Sequence, residues 1–312
     1  MIELTNTRAN HLIDPFLQVW GWEIPVYLFL GGLVAGMMAI AGWFLLTGRH
    51  RNASSALSLL PGLGLVLLSL GMGALFLDLE HKLYVWRLYT TFEIASPMSW
   101  GAWILVAVYP ALLATLLLRV PEPLRRRFPP LAALSDELRA RPAVVKGIAT
   151  ADLVLGGLLG IYTGVLLSAL GARPLWNSAL LGPLFLASGL SSAAALVHMV
   201  ARDRAESELL ARADNRFLQA EIVLLALLLI GLMSATEVHI RAAGLVLGGP
   251  FTAVFWVGVV GLGIVLPLFL QSLAVGHRIR HTPVAPLLVL AGGLLLRFVI
   301  VSAGQLSHWG PV

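Results

Sequence analysis

Eight apolar runs, each about 20 residues long, recur along this 312-residue chain, and that repetition leaves few folds open to it. They fall at roughly 24–47, 53–77, 97–119, 147–170, 178–201, 217–235, 251–275 and 284–303. A run of this length crosses the hydrocarbon core of a bilayer as an α-helix, which satisfies every backbone amide within the segment. Composition agrees, since apolar residues make up 58% of the chain and charged residues only 12%. The longest polar link, 120–146, is rich in Pro and Arg and is expected to form at most a surface helix, so no soluble domain of useful size remains. The expected fold is all-α, an integral membrane protein of eight transmembrane helices. It divides into an N-terminal segment 1–23 with interfacial helical character, a first four-helix bundle 24–170 and a second four-helix bundle 171–312.

Basic residues orient the bundle through the positive-inside rule. The links after the first, third, fifth and seventh runs hold 15 of the 21 Lys and Arg residues; the opposite side holds five, and Arg297 lies within the last run. Both termini, the segment 1–23 and the link between the second and third runs are therefore expected to be extracytoplasmic. The net charge of +5 belongs to cytoplasmic links that meet anionic membrane lipid, and it implies no nucleic acid partner. With no cysteine, the protein has no disulfide, thiolate zinc site or cysteine-ligated iron–sulfur cluster of its own. No basic stretch precedes the first apolar run, so a cleaved signal peptide is not expected.

Small residues recur at packing intervals: Gly32 and Gly36, then Gly156, Gly160 and Gly164, then Ser188 and Ser192. A spacing of four puts each set on one helix face, where backbones approach closely. Ionisable groups at membrane depth are costly and mark pathways or sites. Asp152 falls five residues into the fourth run, ~7 Å from its cytoplasmic end, and Glu221 lies at similar depth in the sixth. Arg297 sits two thirds of the way across the eighth run; Asp78 and Glu237 close the second and sixth runs on the outer side, and Glu23 opens the first. Asp152, Glu221, Glu237 and Arg297 are thus candidates for a proton path. The plainer alternative has Asp152 and Glu221 pairing with Lys146 and Arg216 at the interface, and Arg297 in a structural ion pair.

All eight histidines fall in links, tails or at helix ends, whereas a membrane dihaem cytochrome needs axial histidines inside its helices, so no haem is expected. His81, His239 and His308 face outward; taken singly, each reads best as a solvated surface histidine. No glycine loop of the phosphate-cradling kind is present on the cytoplasmic side. Chemistry concentrates instead at the outer face. The link Asp78 to Trp103 crowds charged and aromatic residues between two apolar helices, and Glu23, Tyr27, Tyr89, Tyr162, Trp176 and Asn177 fall at the same level. Most of the aromatics fit an ordinary interfacial belt. Tyr162 differs, because Gly160 and Gly164 beside it turn its phenol towards a packed interior where the hydroxyl needs a partner. An apolar pocket offering a tyrosine hydroxyl and a carboxylate suits a quinone, whose carbonyls accept hydrogen bonds and whose reduction consumes two protons.

Four stretches then carry a resemblance: VWGWEIPVYLFLGGLVAG at 19–36, LDLEHKLYVWRLYTTFEIASPMSWGAW at 77–103, IYTGVLLSALGARPLWNS at 161–178 and GGLLLRFVIVSAGQ at 292–305. With these in this order, the sequence resembles the NrfD/PsrC-type membrane subunits of polysulfide reductase and related respiratory complexes. The resemblance implies a quinone-reactive subunit of a bacterial cytoplasmic membrane, with menaquinone or ubiquinone bound near the outer face among the first four helices and no metal in the protein itself. It also implies an extracytoplasmic four-cluster ferredoxin-like iron–sulfur partner, with a molybdenum, tungsten or other catalytic subunit behind it. By position, Asp78 matches the acid closing the second helix, Tyr162 the tyrosine of the fourth, Tyr27 a quinone-side position on the first and Arg297 an arginine of the last. The sequence departs from the family pattern at Tyr27 and Ile24, where a histidine and an asparagine are expected, which leaves room for Glu23 at the quinone head.

Asp78 and Tyr162 are accordingly the expected catalytic residues, with Glu23, Tyr27 and Asn177 beside them in the quinone pocket. Electrons pass between the quinol and the iron–sulfur partner while Asp78 accepts protons. The alternative is a proton-coupled secondary transporter; against it, no matched pair of broken helices marks the two halves. A passive membrane anchor, a third reading, predicts that the acids can be lost without effect. The charge count makes one prediction directly. Alkaline phosphatase fused after Val312 will be active and a fluorescent protein fused there dark, and the reverse pattern would overturn the orientation.

Overall fold

The computed structural model describes residues 20–48, 56–201, 203–276 and 282–309, and the expected interfacial helix before residue 20 lies outside them. Among the described residues there is no β-strand, and eight helices are long and apolar enough to cross a membrane. They are α1 (Glu23–Leu46), α2 (Ala56–Asp78), α3 (Pro97–Leu118), α4 (Pro142–Ser168), α5 (Leu181–Val200), α6 (Arg204–Met233), α7 (Val254–Val275) and α8 (Val284–Leu306). Pro97 and Pro142 start α3 and α4, where a missing amide costs nothing and the fixed φ suits the first turn. In α7, Val254–Val265 is a π-helix that tightens to α-helix at Leu266, next to Pro267, which has no amide to donate.

Neighbouring helices form two rings. In one, α1 packs on α2, α2 on α3, α3 on α4 and α4 on α1; in the other, α5, α6, α7 and α8 close in the same way. α1 and α4 pack on α5, and α1 also meets α8, so α1 joins the rings. It is the most enclosed helix, with 72% of its apolar window buried against 28% in α4 and α6. Glycine makes the crossings close. A methyl at Gly36 would stand 2.5 Å from the Gly189 carbonyl oxygen of α5, and one at Gly156 of α4 would stand 2.7 Å from that of Ala35.

Polarity is inverted relative to a water-soluble protein. Val66, Leu70, Val257 and Phe269 are more than half exposed, whereas Asp152, Asp214, Glu221 and Arg297 are at most 3% exposed. Only a hydrocarbon solvent makes that arrangement favourable.

Two helices begin five or more residues earlier than expected. α6 begins at Arg204 instead of near 217, and α4 at Pro142 instead of 147. Asp152 lies ~15 Å from the start of its helix yet bonds Thr115, one turn from the end of α3, and so stays near the expected level, whereas Glu221 lies ~25 Å along α6. The polar residues of early α6 lowered its hydropathy and hid a helix whose other face, through Leu210, Asp214 and Leu218, is fully packed. The link 120–146 holds two short helices, Glu122–Arg127 and Pro129–Ala140, before α4. Ser135 and Arg139 of the second donate to the Leu118 carbonyl, satisfying an end group of α3.

The close crossing of α1 and α5 is testable. Gly36→Ala will destabilise the protein by ~1–3 kcal/mol through overpacking, whereas Gly73→Ala, whose added methyl meets nothing within 4 Å, will be near neutral. Thermal unfolding monitored by size-exclusion chromatography in detergent reads both, and equal melting temperatures would refute the close packing.

Candidate functional site

Trp20 and Trp309 lie at one face of the molecule, called here the terminal face, where α1 begins and α2 ends. In the first ring this end gathers four of the expected site residues. Tyr27, 3% exposed, lies one turn into α1, and its phenol is an electrostatic neighbour of the Tyr162 and Tyr89 phenols. Tyr162, 5% exposed, projects from α4 onto α3, where a methyl at Gly101 would overlap its ring. The SPMSWGAW stretch thus supplies the glycine on which the tyrosine rests. Asp78, at the last turn of α2, is half-buried and feels the Glu23 carboxylate at the first turn of α1. Two phenols and two carboxylates therefore line the terminal end of the first ring.

The link between α2 and α3 folds over this end. It contains a 3-10 turn, Lys82–Tyr84, and a short helix, Arg87–Thr90. The start of α3 ties it down: Ser99 accepts from the Glu93 amide at 3.0 Å and donates to the Thr91 carbonyl, and the Trp100 indole donates to the Ile94 carbonyl at 2.8 Å. Tyr89 turns inward, and burial together with the neighbouring Tyr109 phenol holds it above the usual tyrosine pKa range. Leu83, Tyr84, Trp86, Phe92 and Ile94 remain exposed, with the Arg87 guanidinium 4.9 Å from the centre of the Tyr84 ring.

Asn177 and Glu237 go elsewhere. The RPLWN segment fastens the link between α4 and α5 to the end of α8. Trp176 donates to the Ile300 carbonyl at 2.8 Å, Arg173 to the Ser307 carbonyl at 3.1 Å, and the Leu175 amide to Ser307 Oγ at 3.2 Å. The exposed Asn177 faces His239 at 3.5 Å, in the helix Glu237–Leu247, and so is not brought to Tyr27 and Tyr162. His239 is 8% exposed and bonded to Thr236 at 2.8 Å, which departs from the solvated histidine expected there. Glu237 is exposed in the first turn of the same helix, where a negative charge suits the dipole.

The remaining candidates line the interior. Arg297 is fully buried in α8; it donates to Ser188 Oγ and, at 3.0 Å each, to the carbonyls of Phe185 and Gly293, and it lies 4.7 Å from the Phe185 ring centre. The Ser188 hydroxyl also bonds Glu221 of α6, so it stands between the cation and the acid. Seven residues earlier on α6, Asp214 accepts from Ser191 at 2.5 Å and from Gln271 of α7 at 2.6 Å, and it senses the Glu221 charge. Eight residues earlier again, Glu206 is 5% exposed and neither carboxylate oxygen has a hydrogen-bond partner. Ser192 Oγ, Gln271 Oε1 and Arg297 Nε are likewise buried and unpartnered. A seam of polar groups thus runs through the second ring from the opposite face to Arg297. Asp152 stands apart from it, accepting from Thr115 of α3 at 2.6 Å. Among the described residues, Asp152 and Glu221 form no ion pair with Lys146 or Arg216.

Asp214, Ser191 and Gln271 were not among the expected residues. The spacing of Glu206, Asp214 and Glu221, eight and then seven residues, is the signal that one long helix would have made visible. A separate cavity of about 250 Å³ opens beside α8 at the terminal face, lined by Trp20, Trp22, Phe251, Phe298, Ser302 and Gln305 among others.

Sequence comparison agrees with this architecture. The pattern of the family described as "Polysulphide reductase, NrfD" matches residues 10–308. "Protein NrfD" of Escherichia coli (strain K12) is 35% identical, over 97% of this sequence and 99% of that protein. The polysulfide reductase C subunit of Wolinella succinogenes is 34% identical, over 92% and 94%, and "Protein NrfD homolog" of Haemophilus influenzae 31%, over 93% and 95%. With the match covering all eight spanning helices and the terminal-face tyrosines, the protein belongs to the polysulphide reductase NrfD family.

Proposed function

We propose that this multi-pass protein of the bacterial inner membrane is the membrane subunit of a respiratory oxidoreductase, binding quinone or quinol at the terminal end of its first ring and exchanging electrons with an extracytoplasmic iron–sulfur subunit. The convergence of Tyr27, Tyr162 and the Asp78–Glu23 pair at one end of α1, α2 and α4 carries this reading. The donor set fits the group: phenols donate to carbonyl oxygens, carboxylates accept hydroxyl protons, and Gly71 and Gly101 keep the space beside the two rings narrow and apolar. A bound quinol supplies two electrons and two protons. Tyr162 orients the headgroup through its hydroxyl, and Asp78 takes a proton at a carboxylate oxygen, an uptake that the like charge of Glu23 favours. The exposed aromatic link lies directly over this end, where a docked partner brings its cluster within reach, with a molybdenum, tungsten or other catalytic subunit behind it.

The polar seam of the second ring suits proton transfer. Buried donors and acceptors without protein partners call for water, and a chain of carboxylates, hydroxyls and water conducts protons. Glu206, Asp214 and Glu221 would carry protons from the opposite face to Ser188, with Arg297 closing the route by its charge.

Two measurements test these assignments in the complex purified through this subunit. Tyr162→Phe and Asp78→Asn will each lower quinol-dependent electron transfer, Asp78→Asn by about 100-fold, as loss of a general base does. Full activity in both variants would remove the proposed site. In proteoliposomes, Asp214→Asn and Glu221→Gln will retain electron transfer but lower the protons moved per electron, read with a pH-sensitive dye; an unchanged ratio would make the seam structural.

A further inference from the structure

A second concentration of charge lies at the face opposite the chain ends, beside Glu206, where the polar seam of the second ring begins. A cavity of about 550 Å³ opens there between the start of α2 and the segment following α3, lined by Leu59, Arg119, Val120, Pro121, Glu122 and Arg139. Arg139 is fixed in place, because its Nε donates to the Leu118 carbonyl that Ser135, one turn earlier, also engages at 3.3 Å. Its two Nη atoms have no protein partner among the described residues. Arg119 is half-buried at the end of α3 in the same cavity. Burial and then the Arg139 cation lower its pKa from the usual arginine value, while Glu206 opposes them. The acid lining the cavity, Glu122, is largely exposed and paired with Arg126 at 3.2 Å. The protein thus holds two guanidiniums at one cavity.

We propose that this cavity binds the phosphodiester headgroup of an anionic phospholipid, with the Arg139 fork and Arg119 on the phosphate oxygens. Three features favour a lipid. The cavity sits at the end of a spanning helix, the depth of headgroup phosphates. Its rim is apolar: Leu59 is 48% exposed, and Leu124, Phe128 and Leu134 of the adjoining short helices are also exposed, so acyl chains find a surface beside the phosphate. The 15-to-5 distribution of basic residues assigns this face to the cytoplasmic leaflet, where anionic lipids meet basic pockets between helices. A guanidinium fork also matches phosphate geometry better than an ammonium would.

Native mass spectrometry of the purified protein, with its associated subunits, tests this without reference to electron transfer. The wild type will retain phosphatidylglycerol in preference to phosphatidylcholine, and each of Arg119→Gln and Arg139→Gln will weaken retention about fivefold. Arg139→Gln keeps an amide donor for the Leu118 carbonyl, and Arg141→Gln, whose exposed pair with Glu137 does not line the cavity, will retain lipid like the wild type. Equal retention of the two lipids, or unchanged phosphatidylglycerol in both cavity variants, would overturn the proposal. The thermal midpoint, followed with added lipid or with inorganic phosphate, separates the two sources of the same chemistry. A rise with phosphatidylglycerol that Arg139→Gln abolishes supports a lipid site, and an equal rise with inorganic phosphate refutes it.

Discussion

A guanidinium buried at 0% exposure inside a membrane protein is a constraint around which other choices must be made, and Arg297 is held by four helices at once. Ser188 and the Phe185 carbonyl come from α5, the Gly293 carbonyl from α8 itself, and the balancing Glu221 charge from α6. From the fourth, α1, Gly32 presents bare backbone, where a methyl would lie 3.2 Å from Nη2. Removing any single partner leaves part of a charge uncompensated in a medium of low dielectric, which costs far more than the pair contributes when whole. The cluster therefore specifies how the two rings meet. An apolar residue there would permit sliding that the charge forbids.

The same economy of space explains the glycines of α1. A helix surrounded on all sides by others cannot present large side chains everywhere, so it alternates bulky residues such as Phe44 and Met37 with positions at which neighbouring backbones touch. Lipid gives no hydrophobic drive for helices to associate, and what remains is contact area and interior polar bonds. Asp152 with Thr115 and Asp214 with Ser191 and Gln271 are bonds of this second kind, each tying one helix to another. Whatever these acids do in turnover, they also help hold the rings closed.

The number of helices and their type could be read from the sequence because a spanning helix must be long and apolar wherever it sits. The first-ring residues were readable for a related reason: Tyr162 flanked by Gly160 and Gly164 can only be an aromatic packed among backbones, and an acid at the end of an apolar run has few places to go. Pairwise contacts were not readable. Asn177 stands next to Trp176 in a segment of the expected kind, yet the direction of that segment is set by Ser307 and Ile300, more than 120 residues away, and they turn it towards the second ring. Asp214 was hidden for a different reason. Averaged hydropathy falls where one helix face is charged, so the polar half of α6 looked like a link although its other face is as buried as any in the molecule.

The two polar regions are separate in space but share a helix. Tyr27 and Gly32 are five residues apart on α1, ~7.5 Å along its axis, so the phenol of the first ring and the backbone that abuts Arg297 belong to one rigid element. α1 is enclosed by α2, α4, α5 and α8 and crosses α5 at backbone contact, which leaves little room for it to tilt or slide. Communication between a charge gained at the terminal end and the Arg297–Glu221 pair is then better carried by the electric field than by helix motion. In this interior, screening is weak and a charge a few turns away still biases which groups hold protons. Coupling of that kind requires that the helices keep their places, and the backbone contact of α1 with α5 meets that requirement.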